Sequence, residues 1–408
     1  MTPSKEGISV GETQFTNAEG QRRHQAIRDR MKTGGMRAYI VFDALNFVYT
    51  TNFLLDVEPW ERPVAAIVPS DGEPSLILHE LSTNHYAVAL ERGSCWVTDA
   101  EIYVEHPTLI NRKYSRPECD RLLVDRLIQQ GITRGRVGVD SMGRISAAVR
   151  AMLPDVEFFL HPELLRDLRL VKSDSELDLL RVGGVLTTWA IGEFKSLLAP
   201  GERIYELSLE IAKGFGHRVA DQLPDDAIQI MVLADTGIDT ACPHSPGGNA
   251  GRRISRGDSV IANVLLRING YWTEDERTFL IGPPTDEQRH YLTAMTSAQV
   301  AAIDAMVEGN RLVDIDAAAF NVHQAAGTLE YLFARTGHGI GLAGHEYPDD
   351  MAYSYRPLAE GMVFSSEPAL FVKGLGGFRH SDTVIVGSEK PESVTAFPKY
   401  IDDLIVDG

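Results

Sequence analysis

The sequence predicts a mixed α/β (α+β) protein of two domains, and three features of the chain support this interpretation. Its 408 residues are more than one ordinary hydrophobic core organises. Strand-like and helix-like segments alternate over the first part of the chain, which is typical of an α/β domain. From Val260 onward, strand-like segments follow one another and are joined by glycine turns. We therefore predict a smaller domain at 1–165 and a larger one at 166–408.

Helices and strands of the smaller domain can be assigned from its hydrophobic pattern. Spaced apolar residues in a polar segment predict an amphipathic helix at about 14–36. Apolar runs predict buried strands, and a Ser-Asp-Gly turn makes the second and third runs partners. The predicted strands are 38–42, 64–69, 75–78 and 136–140.

The larger domain should open with a helix that begins at Ser173. Ser173 followed by Glu176 forms a capping box, in which each residue satisfies a backbone N–H of the other. The helical pattern runs toward Leu198 and ends at Ala-Pro-Gly. Two further helices are predicted at 286–307 and 313–336.

Charge and cysteine usage exclude several classes of protein. The formal charge is −18, from 39 basic and 57 acidic residues, and no Lys- or Arg-rich run interrupts the acidity. Nucleic acid and anionic membranes are therefore poor partners. Cys95, Cys119 and Cys242 lack CxxC spacing, which argues against a disulfide framework and a thiolate zinc site. The polar N-terminus and the absence of a long apolar stretch predict a cytoplasmic location.

Chemically capable side chains are concentrated in the second half of the chain. They lie in the segments 240–246, 270–278, 336–341 and 365–368. Strand periodicity places Glu274 and Glu276 on one face, where two carboxylates need a cationic partner or solvent. An ordinary ion pair of Glu276 with Arg277 on an exposed face is the alternative. Glu367 adjoins an apolar run, where a carboxylate is unusual.

These segments, with Lys172-Ser-x-x-Glu176 and Gly377-Phe-Arg379, resemble the pita-bread family of prolidase, aminopeptidase P and creatinase. The resemblance covers essentially the whole chain. It implies a small N-terminal creatinase-type α/β domain followed by a C-terminal pita-bread domain with a curved antiparallel sheet. The active site of that family lies in the sheet domain.

The resemblance also carries over the metal ligands of the family's peptidases, which hold two ions with five side chains. The matching positions here are Asn263, Glu274, His338, Glu367 and Ser381. Asn263 and Ser381 are neutral, so the carboxylate bridges of a two-ion site are missing. We therefore expect no metal and no other cofactor.

Other positions are similar to creatinase, the metal-free branch of the family. Asn263, the Gly270–Thr278 strand and the Pro-His-Ser-Pro loop at 243–246 carry this likeness. It implies a metal-independent hydrolase that cleaves a C–N bond of a guanidino, amidine or related small nitrogenous substrate. Carboxylates would hold the cation and an imidazole would move protons. The implied catalytic residues are His244, Glu276, Glu367 and His338.

The resemblance further implies a homodimer, since creatinase sends an aromatic residue and an arginine into the neighbouring subunit's active site. Asp349 stands where creatinase has an arginine that holds the substrate carboxylate, so creatine itself is not expected. The implied substrate-binding residues are Trp60, Arg62, Trp272, Glu274, His345 and Asp349.

Two alternatives stay open. One is a divergent Xaa-Pro peptidase-like enzyme that holds a single ion at Glu274, His338 and Glu367. The other is a non-catalytic pita-bread binding protein. Stoichiometric metal with chelator-sensitive activity would favour the first, and a cellular role that survives His244→Ala would favour the second.

Overall fold

The computed structural model describes residues 13–105, 114–243, 250–348 and 351–407. The chain divides into two compact units, and the change from one to the other falls between Arg169 and Leu170. Each unit is built on its own β-sheet. No helix in these ranges combines the length and the apolar character needed to cross a lipid bilayer.

The N-terminal unit is a mixed sheet with helices around it. Its described helices are α1 (Asn17–Thr33), α2 (Ala44–Thr51), α3 (Thr83–Arg92), α4 (Ser115–Gln129), α5 (Ala147–Met152) and α6 (Glu163–Leu170). Its strands are β1 (Met36–Val41), β2 (Ala65–Pro69), β3 (Ser75–His79), β4 (Ala100–Tyr103), β5 (Gly135–Val139) and β6 (Val156–Leu160). Their order is β4-β3-β2-β1-β5-β6. The predicted first helix and four strands are confirmed, with ends shifted by a few residues.

A buried carboxylate, Asp140, joins the end of β5 to the start of α2. Its Oδ1 accepts a hydrogen bond from the Phe42 amide at 2.8 Å. Its Oδ2 accepts from the Asp43 amide and from Asn46 Nδ2, both at 3.1 Å. Burial raises the pKa of Asp140 to about 6, although these three donors oppose the rise. The carboxylate therefore satisfies donors that helix and strand leave unpaired.

We expect Asp140→Asn to lower the free energy of unfolding of this unit by about 1–3 kcal/mol, measured by denaturant unfolding at pH 8. An amide offers one acceptor oxygen, so its NH2 group would face at least one of the three N–H donors. Asp71→Asn, in an exposed turn, is the matched control and should change little. Equal stability of the two variants would contradict this role.

The C-terminal unit is a larger antiparallel sheet flanked by helices. Its described helices are α7 (Asp174–Leu197), α8 (Ile204–Gln222), α9 (Asp286–Asp304), α10 (Leu312–Ala326) and α11 (Ile401–Leu404). The strands are β7 (Ile228–Thr236), β8 (Ser259–Ile268), β9 (Tyr271–Ile281), β10 (Gly337–Gly339), β11 (Val363–Ser366), β12 (Ala369–Val372), β13 (Gly376–Arg379), β14 (Ser381–Ile385), β15 (Glu392–Ser393) and β16 (Ile405–Val406). The main path of the sheet is β10-β11-β14-β9-β8-β7, and β12 pairs with β13.

The start of α7 follows the prediction, whereas two other expectations need correction. Ser173 is the N-cap, and its capping box with Glu176 is complete. Helix α10 ends well before the predicted 336, because Gly327 takes the left-handed conformation that closes a helix. No element is predicted between 202 and 240, yet α8 and β7 lie there. β7 is an edge strand with several exposed positions, so its sequence lacks a clean alternation.

The two faces of β9 have different neighbours, and this positions the site. α7 packs closely against one face, where a Cβ on Gly183 would lie 2.3 Å from Thr273 Oγ1. Asp275, two residues further along the same face, accepts a hydrogen bond from Thr188 of α7 at 3.0 Å. Glu274 and Glu276 therefore lie on the opposite face, as strand periodicity predicts.

Candidate active site

Neighbouring strands bring acidic and imidazole side chains together on the face of β9 that is turned away from α7. Glu274 comes from β9, His338 from β10, and Glu367 directly follows β11. β10, β11, β14 and β9 are adjacent in the sheet, so residues far apart in sequence become neighbours.

Three of these side chains converge, and we refer to Glu274, His338 and Glu367 as the three-donor cluster. One ligand-type atom of each lies within 4.8 Å of the others. His338 Nε2 is 3.3 Å from Glu367 Oε1 and 4.0 Å from Glu274 Oε2. His338 is fully buried, and only 14% of the Glu367 side chain is exposed. Such a group of donors can hold a divalent cation.

Hydrogen bonds fix the orientation of the cluster. His338 Nδ1 lies 2.9 Å from the Gly339 carbonyl, so the proton belongs on Nδ1 and the lone pair of Nε2 faces the carboxylates. Asn263 Nδ2 donates to Glu274 Oε1 at 2.8 Å, and Ser365 Oγ donates to Oε2 at 3.3 Å. The ring of His345 stacks on His338 with centroids 3.7 Å apart.

Burial raises the pKa values of two carboxyl groups at the cluster. Burial raises the pKa of Glu367 to about 8, and the nearby charge of Glu274 adds to the rise. Burial also raises the pKa of Glu276 to about 7, although Arg379 donates to its Oε1 at 2.6 Å. A bound cation would offset this repulsion.

The donor set fits one metal ion and does not fit two. Carboxylate oxygen and imidazole nitrogen are ligands for manganese, iron and zinc, and three protein ligands are usual at catalytic zinc. At the other two positions implied by the resemblance, Asn263 directs an N–H at Glu274, and Ser381 Oγ shares a 2.6 Å hydrogen bond with Ser365. Neither offers a carboxylate to a second ion.

The remaining predicted residues either make other contacts in the described part of the chain or lie outside it. Trp272 is half-buried, with the Arg267 guanidinium 5.8 Å from its ring. Trp60 and Arg62 belong to the N-terminal unit, where Trp60 is 68% exposed and Arg62 pairs with Glu61 at 2.8 Å. His244 and Asp349 lie outside the described residues.

Arg379 is a site residue whose role was not predicted from the sequence. It pairs with Glu276, whose expected alternative partner was Arg277. Arg277 instead lies on the α7 face of β9, 3.1 Å from Asp275 and 2.8 Å from Asp382. Strand periodicity could have excluded Arg277 as the partner of Glu276, since adjacent residues of a strand point to opposite faces.

Comparison with known proteins identifies both parts of the chain. Residues 23–171 match the creatinase/prolidase N-terminal domain, and residues 178–388 match metallopeptidase family M24. "Probable dipeptidase PepE" of Mycobacterium tuberculosis is 30% identical over 347 residues, 84% of this chain and 85% of that protein. The Xaa-Pro dipeptidase of Pyrococcus furiosus is 28% identical over 239 residues, 59% of this chain and 67% of that protein.

Solved structures agree with these matches. The crystal structure of dipeptidase PepE from Mycobacterium ulcerans has a TM-score of 0.80 and 27% identity, covering 97% of this chain and all of that one. The predicted architecture is thereby confirmed: a creatinase-type N-terminal domain and a pita-bread domain with an antiparallel sheet.

The same comparisons contradict the predicted reaction. The similar proteins are named as dipeptidases and Xaa-Pro dipeptidases, so the prediction of a metal-independent hydrolase of guanidino or amidine C–N bonds is wrong. The physical reason is that the prediction rested on two neutral residues, Asn263 and Ser381. Asn263 and Ser381 remove ligands for one ion, but they leave the three-donor cluster intact.

Proposed function

Because this chain belongs to metallopeptidase family M24 and has a creatinase/prolidase-type N-terminal domain, we propose that it hydrolyses the peptide bond of dipeptides with one divalent metal ion. The observation that carries this proposal is the three-donor cluster, with its ligand atoms within 4.8 Å of one another. The names of the relatives support a peptide bond as the bond cleaved. A cytoplasmic location stays a prediction.

The residues of the cluster have separable roles in this reaction. A divalent ion held there would supply Lewis acidity, which would polarise a carbonyl group and acidify water. His338 would contribute the Nε2 lone pair, and Glu274 and Glu367 would contribute carboxylate oxygens. Asn263 and Ser365 keep the Glu274 carboxylate in place through its two oxygens.

His345 is suited to bind the substrate beside the cluster. Arg335 Nη2 lies 2.7 Å from His345 Nδ1, and a guanidinium can only donate a hydrogen bond. Nδ1 is then the acceptor, so the neutral ring carries its proton on Nε2. We propose that His345 lies beside the substrate, because its ring stacks on the ring of His338 in the cluster.

The other predicted contributions are part of the proposal. We keep His244 as a proton carrier, Glu276 as a substrate contact, and Trp60, Arg62, Trp272 and Asp349 as residues near the substrate. A homodimer in which the N-terminal domain completes the neighbouring site also stays proposed. Light scattering of the full chain measures that assembly, and a monomer at assay concentration would rule it out.

Hydrolysis of a dipeptide panel before and after metal removal tests the proposed function. The purified chain is treated with chelator, dialysed and resupplied with manganese, zinc or ferrous iron. We expect dipeptide cleavage, including of Xaa-Pro dipeptides, to be lost on chelation and restored by one of these ions. No cleavage with any ion would favour the non-catalytic alternative. Cleavage that resists chelation would contradict the role of the cluster.

A further inference from the structure

A cavity of about 340 Å³ lies next to the three-donor cluster, on the side of α8 and β7. Asn263 connects the two, because it lines the cavity and also donates to Glu274. Most of the wall is apolar, and the side chains that form it include Leu209, Val232, Leu233, Ile261 and Phe371. Its size and apolar wall suit an aliphatic chain.

Three acceptor atoms interrupt this apolar wall. Asn263 Oδ1, Glu276 Oε2 and Asp235 Oδ1 are buried and have no hydrogen-bond partner among the described residues. Glu276 is 0% exposed and Asn263 is 8% exposed, so bulk water does not solvate them. Buried acceptors are normally paired, and an orphan acceptor facing a cavity points to a donor that comes from outside the chain.

Two donors near these atoms are used by other oxygens, and the buried Arg379 Nε also has no hydrogen-bond partner among the described residues. Asn263 Nδ2 is used by Glu274 Oε1, and Arg379 Nη2 is used by Glu276 Oε1. Two carboxylates, Asp235 and Glu276, line the cavity against the single guanidinium of Arg379. The described lining therefore has more carboxyl groups than guanidinium groups, and its unpaired carboxyl and amide oxygens can accept hydrogen bonds.

We propose that this cavity binds a positively charged, N–H-bearing group on an aliphatic stem, and that dipeptides with a lysine or arginine side chain are the preferred substrates. The stem would contact the apolar wall, and the ammonium or guanidinium would donate to Asn263, Glu276 and Asp235. The substrate preference rests on the proposed function, whereas binding of the cation does not.

Calorimetric binding of L-lysinamide and L-norleucinamide tests the cavity without catalysis. The two compounds share an α-amino group and an aliphatic stem, and only lysinamide has the terminal ammonium. We expect lysinamide to bind at least about tenfold more tightly, the usual worth of a hydrogen bond to a charged group. Asp235→Asn and Glu276→Gln should each remove most of this preference. Equal affinity of the two compounds would overturn the proposal.

Matched variants keep the test decisive. Glu210→Gln removes a carboxylate from an exposed position of α8 that does not line the cavity, and it should keep the full preference. If Glu276→Gln fails to fold, Asp235→Asn still tests the proposal, because Asp235 is only half-buried. A second equivalent of manganese is added in a competition experiment. If it displaces lysinamide from the parent chain but not from Asp235→Asn, the cavity is an inorganic cation site and the proposal is overturned.

Hydrolysis separates this inference from the proposed function. Lys-Ala and Ala-Lys are compared with the corresponding norleucine dipeptides under restored metal. A higher kcat/KM for one lysine dipeptide supports both. Equal cleavage of lysine and norleucine dipeptides overturns the inference and leaves the function standing. Selective lysinamide binding without any dipeptide cleavage overturns the function and supports the cavity assignment.

Discussion

Replacing His338 by alanine is expected to lower kcat/KM for dipeptide hydrolysis by roughly a thousandfold or more. His338 supplies the only nitrogen donor of the three-donor cluster, and its Nε2 lies 3.3 Å from Glu367. Without it, Glu274 and Glu367 face each other as a buried carboxylate pair that no longer holds an ion in defined geometry. Lewis-acid stabilisation is worth several kcal/mol, which is about three orders of magnitude in rate.

His290→Ala is the matched control for this change, because His290 is an exposed residue of α9. It should retain activity and metal content. Circular dichroism of both variants should overlay that of the parent chain, which separates loss of the site from loss of the fold. Retention of more than about a tenth of the parent kcat/KM by His338→Ala would contradict a role for this ligand.

Replacing Arg277 by methionine is expected to lower the free energy of unfolding by about 3–5 kcal/mol, the usual cost of removing one partner of a buried ion pair. The Arg277 side chain is 0% exposed and lies 3.1 Å from Asp275 and 2.8 Å from Asp382. Burial alone would raise the pKa of Asp382, but Arg277 and Lys399 hold it near 2. Without the guanidinium, two buried carboxylates would share one lysine.

The pH dependence of this loss has a defined sign. Burial raises the pKa of Asp275, and the nearby Asp382 adds to the rise, while Arg277 opposes it. In Arg277→Met that opposition is lost, so protonation of Asp275 stabilises the folded variant more than it stabilises the folded parent. Denaturant unfolding should therefore show a larger deficit at pH 8 than at pH 5.5. A deficit that grows toward pH 5.5 would contradict this explanation.

Arg181→Met is the matched control for the buried arginine. Arg181 pairs with Glu392 at 2.8 Å, but 42% of its side chain is exposed. Exposed ion pairs contribute about 0–1 kcal/mol, so this variant should unfold almost as the parent does. Equal losses of unfolding free energy in Arg181→Met and Arg277→Met would show that burial does not explain the contribution of Arg277.

Local signals were enough to predict much of the fold. The capping box at Ser173 and Glu176 involves residues three positions apart, so it can be read without tertiary information. Strand periodicity likewise placed Glu274 and Glu276 on one face. β7 was missed because an edge strand need not alternate strictly between apolar and polar residues.

Tertiary neighbours could not be predicted in the same way. Arg379 reaches Glu276 because β13 and β14 lead its segment back to β9, where Ser381 is in register with Glu276. No pattern within β9 indicates that partner. The reaction was misjudged for a related reason, since losing two of five ligands excludes a two-ion site but says nothing against the three that remain together.

Metal content is the most direct test of the central claim. The chain and its His338→Ala variant are equilibrated with manganese, dialysed against metal-free buffer and analysed by elemental analysis alongside dipeptide hydrolysis. We predict one ion per chain in the parent, none in the variant, and hydrolysis that follows the bound ion. Dipeptide cleavage by parent chain that holds no ion would contradict the proposed function.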